Sequence, residues 1–540
     1  MLRLTDLRLP LEHDEAALKD ALLARLGIAA ESLEDFRVFR RAHDARNASR
    51  IFLVYSVDVT VKDEDDVLRR FAADAHIAPT PDMRYRPVAR AGADETRRPI
   101  IIGTGPCGLF AGLLLAQMGF RPILLERGKI VRERAEDTWG LWQQGKLNTE
   151  YNVQFGEGGA GAFSDGKLSS RVRDPRHLGR KMLEEFVRAG VPEDILFVGK
   201  PHIGSFRLIK VVENLRAALR ALGAEIRFGC RMENILIDVH ADGKRQARGV
   251  RLADGETLHG DHVVLAVGHS ARDTFAMLHE KGVVMEVKPF SIGVRIEHPQ
   301  TLIDQARFGR FAGHPLLGVA DYKLVYKAKN GRTAYSFCMC PGGQVVAATS
   351  EPGRVVTNGM NQYFRAERNA NSGIVVDVFP ERDFPAYPHP LSGVAFQRHW
   401  EGKAFEARGC AYQAPAQRVG DFMARRPSVC LGTLLPSCQS GIRLTDLALC
   451  LPGFALETLR EALPVFACQI RGYDMEDTLM AGVETRASLL LRIRRDPKTL
   501  QSENTCGLYP AGEGAGYAGG IRVAEALALR MTETGGGHPQ

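Results

Sequence analysis

In the first part of the chain, segments with the two-residue apolar spacing of a strand follow or precede segments with the spacing of a helix. Alternating apolar and polar positions, with many β-branched and aromatic side chains, predict three strands: Leu2–Leu9, Phe36–Arg40 and Ile51–Val61. Helically spaced apolar residues predict a helix at Glu15–Leu26. A run of acids in the first turn predicts a second helix at Asp63–Ala75. The order β-α-β-β-α predicts a small α+β module at residues 1–78. Three prolines among polar residues at 79–98 predict a linker.

From residue 99 the pattern changes to that of a parallel α/β fold. A buried strand, a glycine turn, an apolar helix and a second strand follow one another: Ile100–Ile102, Gly103–Gly108, Leu109–Gly119 and Pro122–Leu125. A strand followed by glycine recurs at 261–268 and again at 507–521. The predicted fold class is therefore α/β, with a Rossmann-like domain in two parts, 99–285 and 486–540, and an inserted β-rich α+β substrate domain at 286–485.

The turn after the first of these strands has the spacing Gly-x-Gly-x-x-Gly. In a dinucleotide-binding turn, Gly103 permits the tight bend, Gly105 lets the backbone approach a pyrophosphate, and Gly108 lets helix and strand pack closely. Glu126, 18 residues after Gly108, is placed to accept hydrogen bonds from ribose hydroxyls. The alternative is a glycine turn in an unrelated α/β protein. The strand, the helix and the acid at this spacing favour the dinucleotide.

The C-terminal glycine motif distinguishes between the candidate dinucleotides. Gly507–Ile521 resembles the closing motif of the large FAD-dependent oxidoreductase superfamily, in which a strand runs into Gly-Asp or Gly-Glu, a glycine-rich turn and a helix. By that resemblance Glu513, in place of the usual Asp, is the acid on the ribityl side, and Gly520 and Ile521 lie near the isoalloxazine. The helix N-terminus there can stabilise negative charge on reduced flavin. The resemblance implies FAD, and nothing marks a covalent attachment, so non-covalent binding is expected.

Two more segments resemble parts of the same superfamily: Asp261–Gly268 and Gly156–Leu168. The many glycines of the second segment indicate close approach of the backbone to a flat or charged group, and the alternative is a surface loop. The residues assigned to FAD are Gly103, Gly105, Pro106, Gly108, Glu126, Arg127, Gly158, Gly159, Gly161, Ser164, Gly268, Gly512, Glu513, Gly519, Gly520 and Ile521. No second Gly-x-Gly-x-x-Gly follows a strand, which argues against a stable nicotinamide site and leaves NAD(P)H as a transient reductant.

Five segments together resemble an uncharacterised bacterial family of FAD-dependent dehydrogenases: Gly103–Gly108, Gly156–Leu168, Cys338–Gly343, Val356–Met360 and Gly482–Arg486. The resemblance covers nearly the whole chain. Its wider relatives are the BaiN-like flavoproteins and, more distantly, the glucose-inhibited division proteins that modify tRNA. It implies a glutathione-reductase-type FAD domain and oxidation or reduction of a small molecule at the flavin face, and it assigns no substrate.

The most specific candidates for catalysis are two thiols, Cys338 and Cys340, which lie on the predicted strand Ala334–Cys340. Residues two apart in a strand point to one face, so these thiols could relay electrons or attack a substrate if a neighbour lowers their pKa. The alternative, favoured by the sequence alone, is that both are small buried apolar residues. Cys107, inside the glycine turn, is assigned to packing. Four charged residues near the motifs could orient a substrate or neutralise an anion: Lys167, His269, Arg272 and Arg486.

Composition narrows the possible functions. Ten cysteines in 540 residues, none spaced as CxxC, argue against a disulfide scaffold and a structural zinc site, and no metal is expected. The net charge is +7, but residues 1–98 hold 17 basic and 18 acidic residues, which argues against nucleic acid as a partner of the N-terminal module. Without a bilayer-length apolar run or a signal peptide, a cytoplasmic protein without a membrane partner is expected.

Three functions remain open at the level of the sequence. The first is an FAD-dependent oxidoreductase with a small-molecule substrate. The second is a flavin-dependent enzyme that modifies tRNA or another RNA, with the N-terminal module as its binding domain. The third is a non-catalytic flavoprotein that acts as a redox sensor. The sequence does not determine the substrate, the electron donor or the oligomeric state.

Overall fold

The computed structural model describes residues 1–168, 174–407, 409, 411–517 and 520–535. The chain folds into two compact units. The first unit consists of Met1–Tyr85, Lys167–Ile203 and Gln300–Asp321, and the second unit consists of Arg86–Gly166, Gly204–Pro299 and Tyr322–Gln540. The first unit is larger than the N-terminal module expected from the sequence, because two later segments join it.

The secondary-structure elements are numbered in chain order. The strands are β1 Leu2–Pro10, β2 Leu33–Asp44, β3 Phe52–Val61, β4 Ile77–Pro79, β5 Ile100–Ile102, β6 Ile123–Leu125, β7 Glu225–Arg227, β8 Met232–Val239, β9 Arg245–Leu252, β10 Thr257–His259, β11 Val263–Leu265, β12 Met285–Val287, β13 Phe290–Pro299, β14 Val325–Lys327, β15 Thr333–Cys340, β16 Gly343–Ala347, β17 Thr357–Asn361, β18 Asn369–Val378, β19 Ala414–Arg418, β20 Ile442–Leu444, β21 Leu479–Glu484, β22 Leu491–Ile493 and β23 Leu508–Pro510. The helices are α1 Ala17–Leu26, α2 Glu64–Arg70, α3 Pro106–Gln117, α4 Val131–Gln144, α5 Leu178–Arg188, α6 Ser205–Ala221, α7 Arg272–Glu280, α8 Gln300–Phe308, α9 Pro380–Asp383, α10 Ser392–Glu406, α11 Val419–Met423, α12 Gly453–Gln469 and α13 Gly520–Gly535.

The first unit contains an antiparallel sheet in the order β2-β3-β1-β4. The predicted strands and helices of the module are present, but β2 is longer than predicted, α2 is shorter, and β4 extends into the predicted linker. Along β3 every second residue is buried, as a strand with one face on a core requires. Helix α1 ends at Gly27, whose φ of 60° is left-handed and suits glycine.

The second unit is built on a parallel sheet in the order β23-β11-β5-β6-β7. The chain runs outward from β5 to β6 and β7, and then returns to the other side of β5 to form β11 and β23. The strand order therefore reverses beside β5. Open α/β sheets bind ligands at such a switch point, outside the carboxyl ends of the strands. Helix α3 packs on β5 and β6 and is buried along most of its length.

A larger sheet of the second unit has the order β14-β15-β18-β13-β21-β19-β20. Its strands β13 and β18 pair antiparallel over ten residues and are buried almost throughout. They nevertheless contain Arg295, Glu297 and Asn371, and a buried polar group needs a partner. This sheet lies within the predicted insertion at 286–485. The predicted α/β class, with a Rossmann-like sheet, a β-rich α+β part and a small N-terminal α+β module, is confirmed.

Two features are absent from the part of the chain that the structure describes. No helix there is long and apolar enough to cross a bilayer. No group of three or more His, Cys, Asp or Glu side chains there could hold a metal ion.

His298, near the end of β13, is buried and neutral. Its Nε2 lies 2.7 Å from the carbonyl oxygen of Tyr473, so Nε2 carries the proton and donates it, while Nδ1 has no hydrogen-bond partner among the described residues. Burial lowers the pKa of His298 from 6.5 to about 4. As the pH falls below 6.5, His298 becomes protonated in the unfolded chain, whereas in the folded chain it is protonated only near pH 4. The stability of the folded state is therefore full above pH 6.5 and falls by about 3 kcal/mol towards pH 4.

We expect the His298→Gln protein to lose this pH dependence, because a glutamine amide can still donate to Tyr473 and does not titrate. The measurement is the free energy of urea unfolding at pH 7 and pH 4.5. The natural chain should lose more stability than the variant over this interval, by most of the 3 kcal/mol estimated above. His240→Gln, at an exposed position, is the control and should leave the difference unchanged. Equal pH dependence in the natural and His298→Gln proteins would contradict the assignment.

Candidate functional site

The carboxyl ends of the parallel strands meet at one edge of the five-stranded sheet. Gly103 follows β5 and Glu126 follows β6, while Gly268 lies three residues after β11 and Gly512 lies two residues after β23. These strands are parallel, so residues far apart in sequence lie along the same edge. The edge thus contains four of the segments that the sequence assigns to a dinucleotide.

The two glycine motifs pack directly against each other through Cys107. A Cβ atom added at Gly512 would lie 2.9 Å from the Cβ of Cys107, and one added at Gly520 would lie 2.1 Å from its carbonyl oxygen. Within the first motif, a Cβ at Gly108 would lie 1.9 Å from the carbonyl oxygen of Gly103, and Gly103 itself has φ 100°. Residues with a Cβ do not fit these positions. Burial raises the pKa of the Cys107 thiol to about 12, which agrees with its assignment to packing.

Glu126 holds three loops of this edge together. Its Oε2 accepts hydrogen bonds from the backbone N–H and the hydroxyl of Thr104, at 2.9 and 2.8 Å. Its Oε1 accepts from the backbone N–H groups of Gly128 and Gly156, both at 3.0 Å. A carboxylate offers about four lone-pair positions, and these bonds use them. In this structure Glu126 therefore orders the loops, and its role as acceptor for ribose hydroxyls stays a prediction.

Arg134 is a fully buried cation on α4 that the sequence analysis missed. Its guanidinium donates at 2.7–3.2 Å to backbone carbonyl oxygens of the glycine-rich loop and of the segment just before it, namely those of Asn152, Val153, Gly156, Glu157 and Gly159. Burial lowers the pKa of Arg134 to about 10, and the charges of Glu126 and Glu157 oppose this shift. The guanidinium stays charged at neutral pH and holds the loop in one conformation. The sequence could have indicated a buried role for Arg134, because it lies on the apolar face of an amphipathic helix.

The glycine-rich loop lies against the first glycine turn. A Cβ added at Gly159 would lie 2.9 Å from the Cα of Gly105, so the two glycines face each other. A Cβ at Gly161 would lie 3.4 Å from the ring of Pro106. These four residues, all assigned to FAD from the sequence, therefore form one surface of backbone and proline ring.

The remaining assigned residues lie near this surface or at the same edge of the sheet. The N–H of Gly158 donates to the carbonyl oxygen of Thr104 at 2.9 Å. The hydroxyl of Ser164 donates to the carbonyl oxygen of Gly161, also at 2.9 Å. Gly268 is left-handed with φ 74°. Glu513 is exposed in a short 3-10 helix and Ile521 is buried on α13. Gly519 lies outside the described residues.

Arg127 and Lys167 have partners of another kind. The Arg127 guanidinium lies 3.0 Å from Glu150 and 3.1 Å from Asp273, over the ring of Phe155 at 4.3 Å. In this structure its partners are acids, and its contact with FAD stays a prediction. Lys167 belongs to the first unit, where it forms a β-bridge with His202.

Three charged residues that the sequence singled out, His269, Arg272 and Arg486, gather around Glu401. Glu401 is fully buried, and its carboxylate accepts from Arg272 at 2.8 and 3.1 Å and from Arg486 at 3.1 and 3.2 Å. Burial raises the pKa of this carboxyl, but the two guanidinium groups outweigh burial and hold the pKa well below its usual value. Arg272 has a second partner, Glu351, at 2.6 Å. Burial lowers the pKa of His269, which lies within electrostatic reach of this network.

Arg295 forms a second buried ion pair, with Glu484, inside the seven-stranded sheet. Its Nε and Nη2 lie 3.0 and 2.9 Å from the two carboxylate oxygens of Glu484. Its Nη1 donates to the carbonyl oxygen of Cys338 at 3.0 Å and to Oδ1 of Asn371 at 2.9 Å. A Cβ added at Gly359 would lie 2.2 Å from the same nitrogen. Three of the segments that carry the family resemblance therefore meet around one arginine. In the sequence, the only indication of this ion pair was a charged residue, Arg295, within the mostly apolar strand β13.

The predicted regular alternation of Cys338 and Cys340 along their strand is wrong. Strand β15 is present as expected, but its pairing with β18 shifts register between Phe337 and Cys340. Cys338 has φ 43°, which is left-handed. Cys340 is buried and Cys338 is partly exposed. At this bulge the carbonyl oxygen of Cys338 is not paired in the ladder with β18 and accepts a hydrogen bond from the Arg295 guanidinium.

The edge of the five-stranded sheet fits a dinucleotide. Helix α3 begins at Pro106 with Gly105 at its N-cap, and no described side chain caps it. The short 3-10 helix Ala160–Phe163 begins after Gly159 in the same way. Two N-termini without side-chain caps thus begin where Gly105 and Gly159 face each other. N–H groups without competing side chains are what a pyrophosphate requires.

A protein of Clostridium beijerinckii, described as "Uncharacterized protein", is 43% identical to this chain over 534 residues, which is 98% of each. The chain belongs to the family of that protein. Residues 289–487 also match the family described as "FAD-dependent protein, C-terminal domain-like". Residues 1–60 match a domain of unknown function, DUF8436. The match at residues 289–487, which includes Arg295, Glu401 and Arg486, supports an FAD-dependent protein. The wider relationship to BaiN-like flavoproteins stays a prediction.

Solved structures with detectable similarity include two proteins complexed with FAD and a halogenase. CtdE in complex with FAD is 11% identical, with 82% of this chain and 90% of that chain covered and a TM-score of 0.29. The glycerol-3-phosphate dehydrogenase from Bacillus halodurans complexed with FAD is 13% identical, with 83% and 66% covered and a TM-score of 0.35. The halogenase PltM is 11% identical, with 81% and 69% covered and a TM-score of 0.37.

Proposed function

We propose that this protein is an FAD-dependent oxidoreductase that binds FAD non-covalently and acts on a small molecule. One observation carries the proposal: two glycine motifs, about four hundred residues apart in sequence, meet at Cys107 beside the switch point of a parallel sheet. The match of residues 289–487 to an FAD-dependent family supports the choice of cofactor. When bound, FAD supplies hydride or electron transfer, while the protein supplies position and charge.

The residues that would hold the cofactor divide into those that face it and those that hold its loops. Gly105 and Gly159 would lie against the pyrophosphate, together with the first-turn N–H groups of α3. The N-terminus of α13 at Gly520 would direct the positive end of a helix dipole towards the ring system. Glu126 and Arg134 contact the loops on both sides of this groove and keep them in place.

The substrate side is proposed to lie near the two buried ion-pair clusters. Glu401 forms ion pairs with Arg272 and Arg486, and so connects the segment that follows β11 with the segment that follows β21. Near Arg295, Nδ2 of Asn371 and Oδ1 of Asn361 are buried without a hydrogen-bond partner among the described residues. Such atoms favour a polar ligand or ordered water over an apolar one. NAD(P)H is proposed as a transient electron donor, since the chain has a single dinucleotide fingerprint.

We expect the purified protein to be yellow and to release about one FAD per chain on denaturation. NAD(P)H or dithionite should bleach the flavin absorbance without oxygen, and dithionite serves as the control for a chemically reducible flavin. A folded, colourless protein that yields no FAD would contradict the proposal. Salt-sensitive retention on tRNA would instead favour the RNA-modifying alternative, because phosphate contacts weaken steeply with salt.

A further inference from the structure

The bulge in β15 brings two cysteines together that a regular strand would keep apart. Side chains two residues apart in a strand have Cβ atoms about 6–7 Å from each other, whereas a disulfide needs about 3.5–4.5 Å. The ladder between β15 and β18 is regular up to Phe337 and resumes at Cys340. Cys338 between them has φ 43°, a conformation that is uncommon outside glycine. The bulge therefore turns the thiol of Cys338 towards that of Cys340.

The two thiols interact and differ in exposure. The Sγ of Cys340 lies 3.3 Å from the carbonyl oxygen of Cys338 and also hydrogen-bonds with its thiol. Cys340 is fully buried, while Cys338 is partly exposed. The hydrogen bond with Cys338, followed by burial, raises the pKa of Cys340 well above its usual value. Cys340 therefore keeps its proton inside the protein, while Cys338 is the thiol that solvent can reach.

A buried cation lies beside the pair. The Nη1 of Arg295 is 3.0 Å from the carbonyl oxygen of Cys338 and 3.9 Å from the Sγ of Cys340. Both Cys340 and Cys338 lie within electrostatic reach of this guanidinium, and positive charge near the partly exposed thiol of Cys338 favours the thiolate, which is the nucleophilic form. Glu484 fixes the guanidinium in place through two hydrogen bonds. Cysteines that only fill space require neither a bulge, nor a thiol–thiol hydrogen bond, nor a fixed guanidinium.

We propose that Cys338 and Cys340 form a reversible dithiol–disulfide couple that reacts with a small disulfide. Cys338 is the attacking thiol, because it is accessible and hydrogen-bonded by its neighbour. Cys340 is the resolving thiol, because it is buried within reach of Cys338. This couple rests on the geometry of β15 and does not depend on the flavin assignment.

Each step of the exchange balances in atoms and electrons. The Cys338 thiolate attacks one sulfur of R–S–S–R, the substrate S–S bond breaks, and the departing thiolate takes up the proton that Cys338 had released to solvent. Cys340 then attacks the sulfur of Cys338, forming the protein disulfide, and its proton goes to the second departing thiolate. The protein loses two electrons and two protons, and the substrate disulfide gains them as two thiols. The disulfide is the oxidant, so no further co-reactant is needed.

The test is a redox titration of the full-length protein in mixtures of reduced and oxidised glutathione. After an acid quench and alkylation, trypsin releases residues 333–354, which contain Cys338 and Cys340 and no other cysteine. We expect this peptide to carry two alkyl groups or none, with one two-electron transition between the two forms. Two alkyl groups at every ratio, or alkylation of the two thiols independently of each other, would overturn the proposal. FAD content does not enter this measurement, so its outcome is distinguishable from failure of the flavin assignment.

Two variants assign the roles of the thiols. Cys340→Ala is expected to accumulate glutathione on Cys338, because the resolving thiol is missing. Cys338→Ser is expected to accumulate no glutathione on the buried Cys340. Cys450→Ala, at another buried cysteine, is the matched control and should leave the transition of the peptide unchanged. Glutathione trapped on Cys340 rather than on Cys338 would reverse the assigned roles and overturn them. The titration of the natural chain needs no variant, so the proposal stays testable if a variant does not fold.

Discussion

The Gly105→Ala protein is expected to fold normally and to bind FAD about 10- to 100-fold more weakly than the natural chain, which corresponds to about 1–3 kcal/mol of steric overlap. Gly105 has φ −68°, which alanine adopts without strain. In the described structure the nearest atom to its added Cβ would be the Cα of Gly159 at 3.7 Å, an ordinary contact. The methyl group would therefore leave the protein's own packing intact and occupy the groove proposed for the pyrophosphate. Equilibrium dialysis of the apoprotein with FAD, with circular dichroism to confirm folding, measures both effects.

Alanine substitutions at two other glycines, Gly108 and Gly140, are the controls for this experiment. At Gly108 an added Cβ would lie 1.9 Å from a backbone oxygen, so Gly108→Ala should fail to fold or be strongly destabilised. At Gly140, on α4, nothing described lies within 4 Å of an added Cβ, so Gly140→Ala should fold and keep FAD. If Gly105→Ala retains the FAD affinity of the natural chain, the groove is not the pyrophosphate site.

The second large effect is expected at Glu401. Glu401→Gln should lower the free energy of unfolding of the second unit by about 3–5 kcal/mol, the usual cost of removing one charge from a buried ion pair. The glutamine would keep the shape of the side chain, but Arg272 and Arg486 would lose their shared buried carboxylate. Glu351 would still neutralise Arg272, so the larger part of the loss is expected from Arg486. Urea unfolding at pH 7, followed by circular dichroism, measures the change.

Glu406→Gln is the matched control for this experiment. Glu406 lies on the same helix α10 and pairs with Lys403, but its side chain is 63% exposed. Exposed pairs contribute little, so the control should stay within about 0.5 kcal/mol of the natural chain. If Glu401→Gln is as stable as Glu406→Gln, the Glu401 network does not stabilise the second unit.

Much of the local structure was predictable because its causes lie within short stretches of sequence. Helix α1 ends at Gly27, and β3 alternates in burial, as their patterns indicate. The glycine turn at Gly103–Gly108 was found because the bend and the close helix packing require glycine at fixed spacing. Strand β15 was predicted as well, but its bulge was not, because register shifts depend on the partner strand β18.

The partners of the buried charges were missed for a different reason. Arg272 and Glu401 are 129 residues apart in sequence, and Arg295 and Glu484 are 189 apart. No local pattern shows which charged side chains meet inside the protein. A single charge within an apolar strand or helix face, as at Arg134 and Arg295, predicts that a partner exists without saying which residue it is.

By itself, the sequence determined the class of the fold, the two glycine motifs and the choice of FAD as the expected cofactor. Each of these depends on residue types at short spacing, or on a resemblance that the same residues carry. Only the tertiary structure decided that the two motifs meet at Cys107, that Glu126 binds loop amides, and that Cys338 and Cys340 lie at a bulge where the thiol of Cys340 reaches the Cys338 carbonyl. These arrangements depend on strand order and register. Both are set by packing between segments that are distant along the chain.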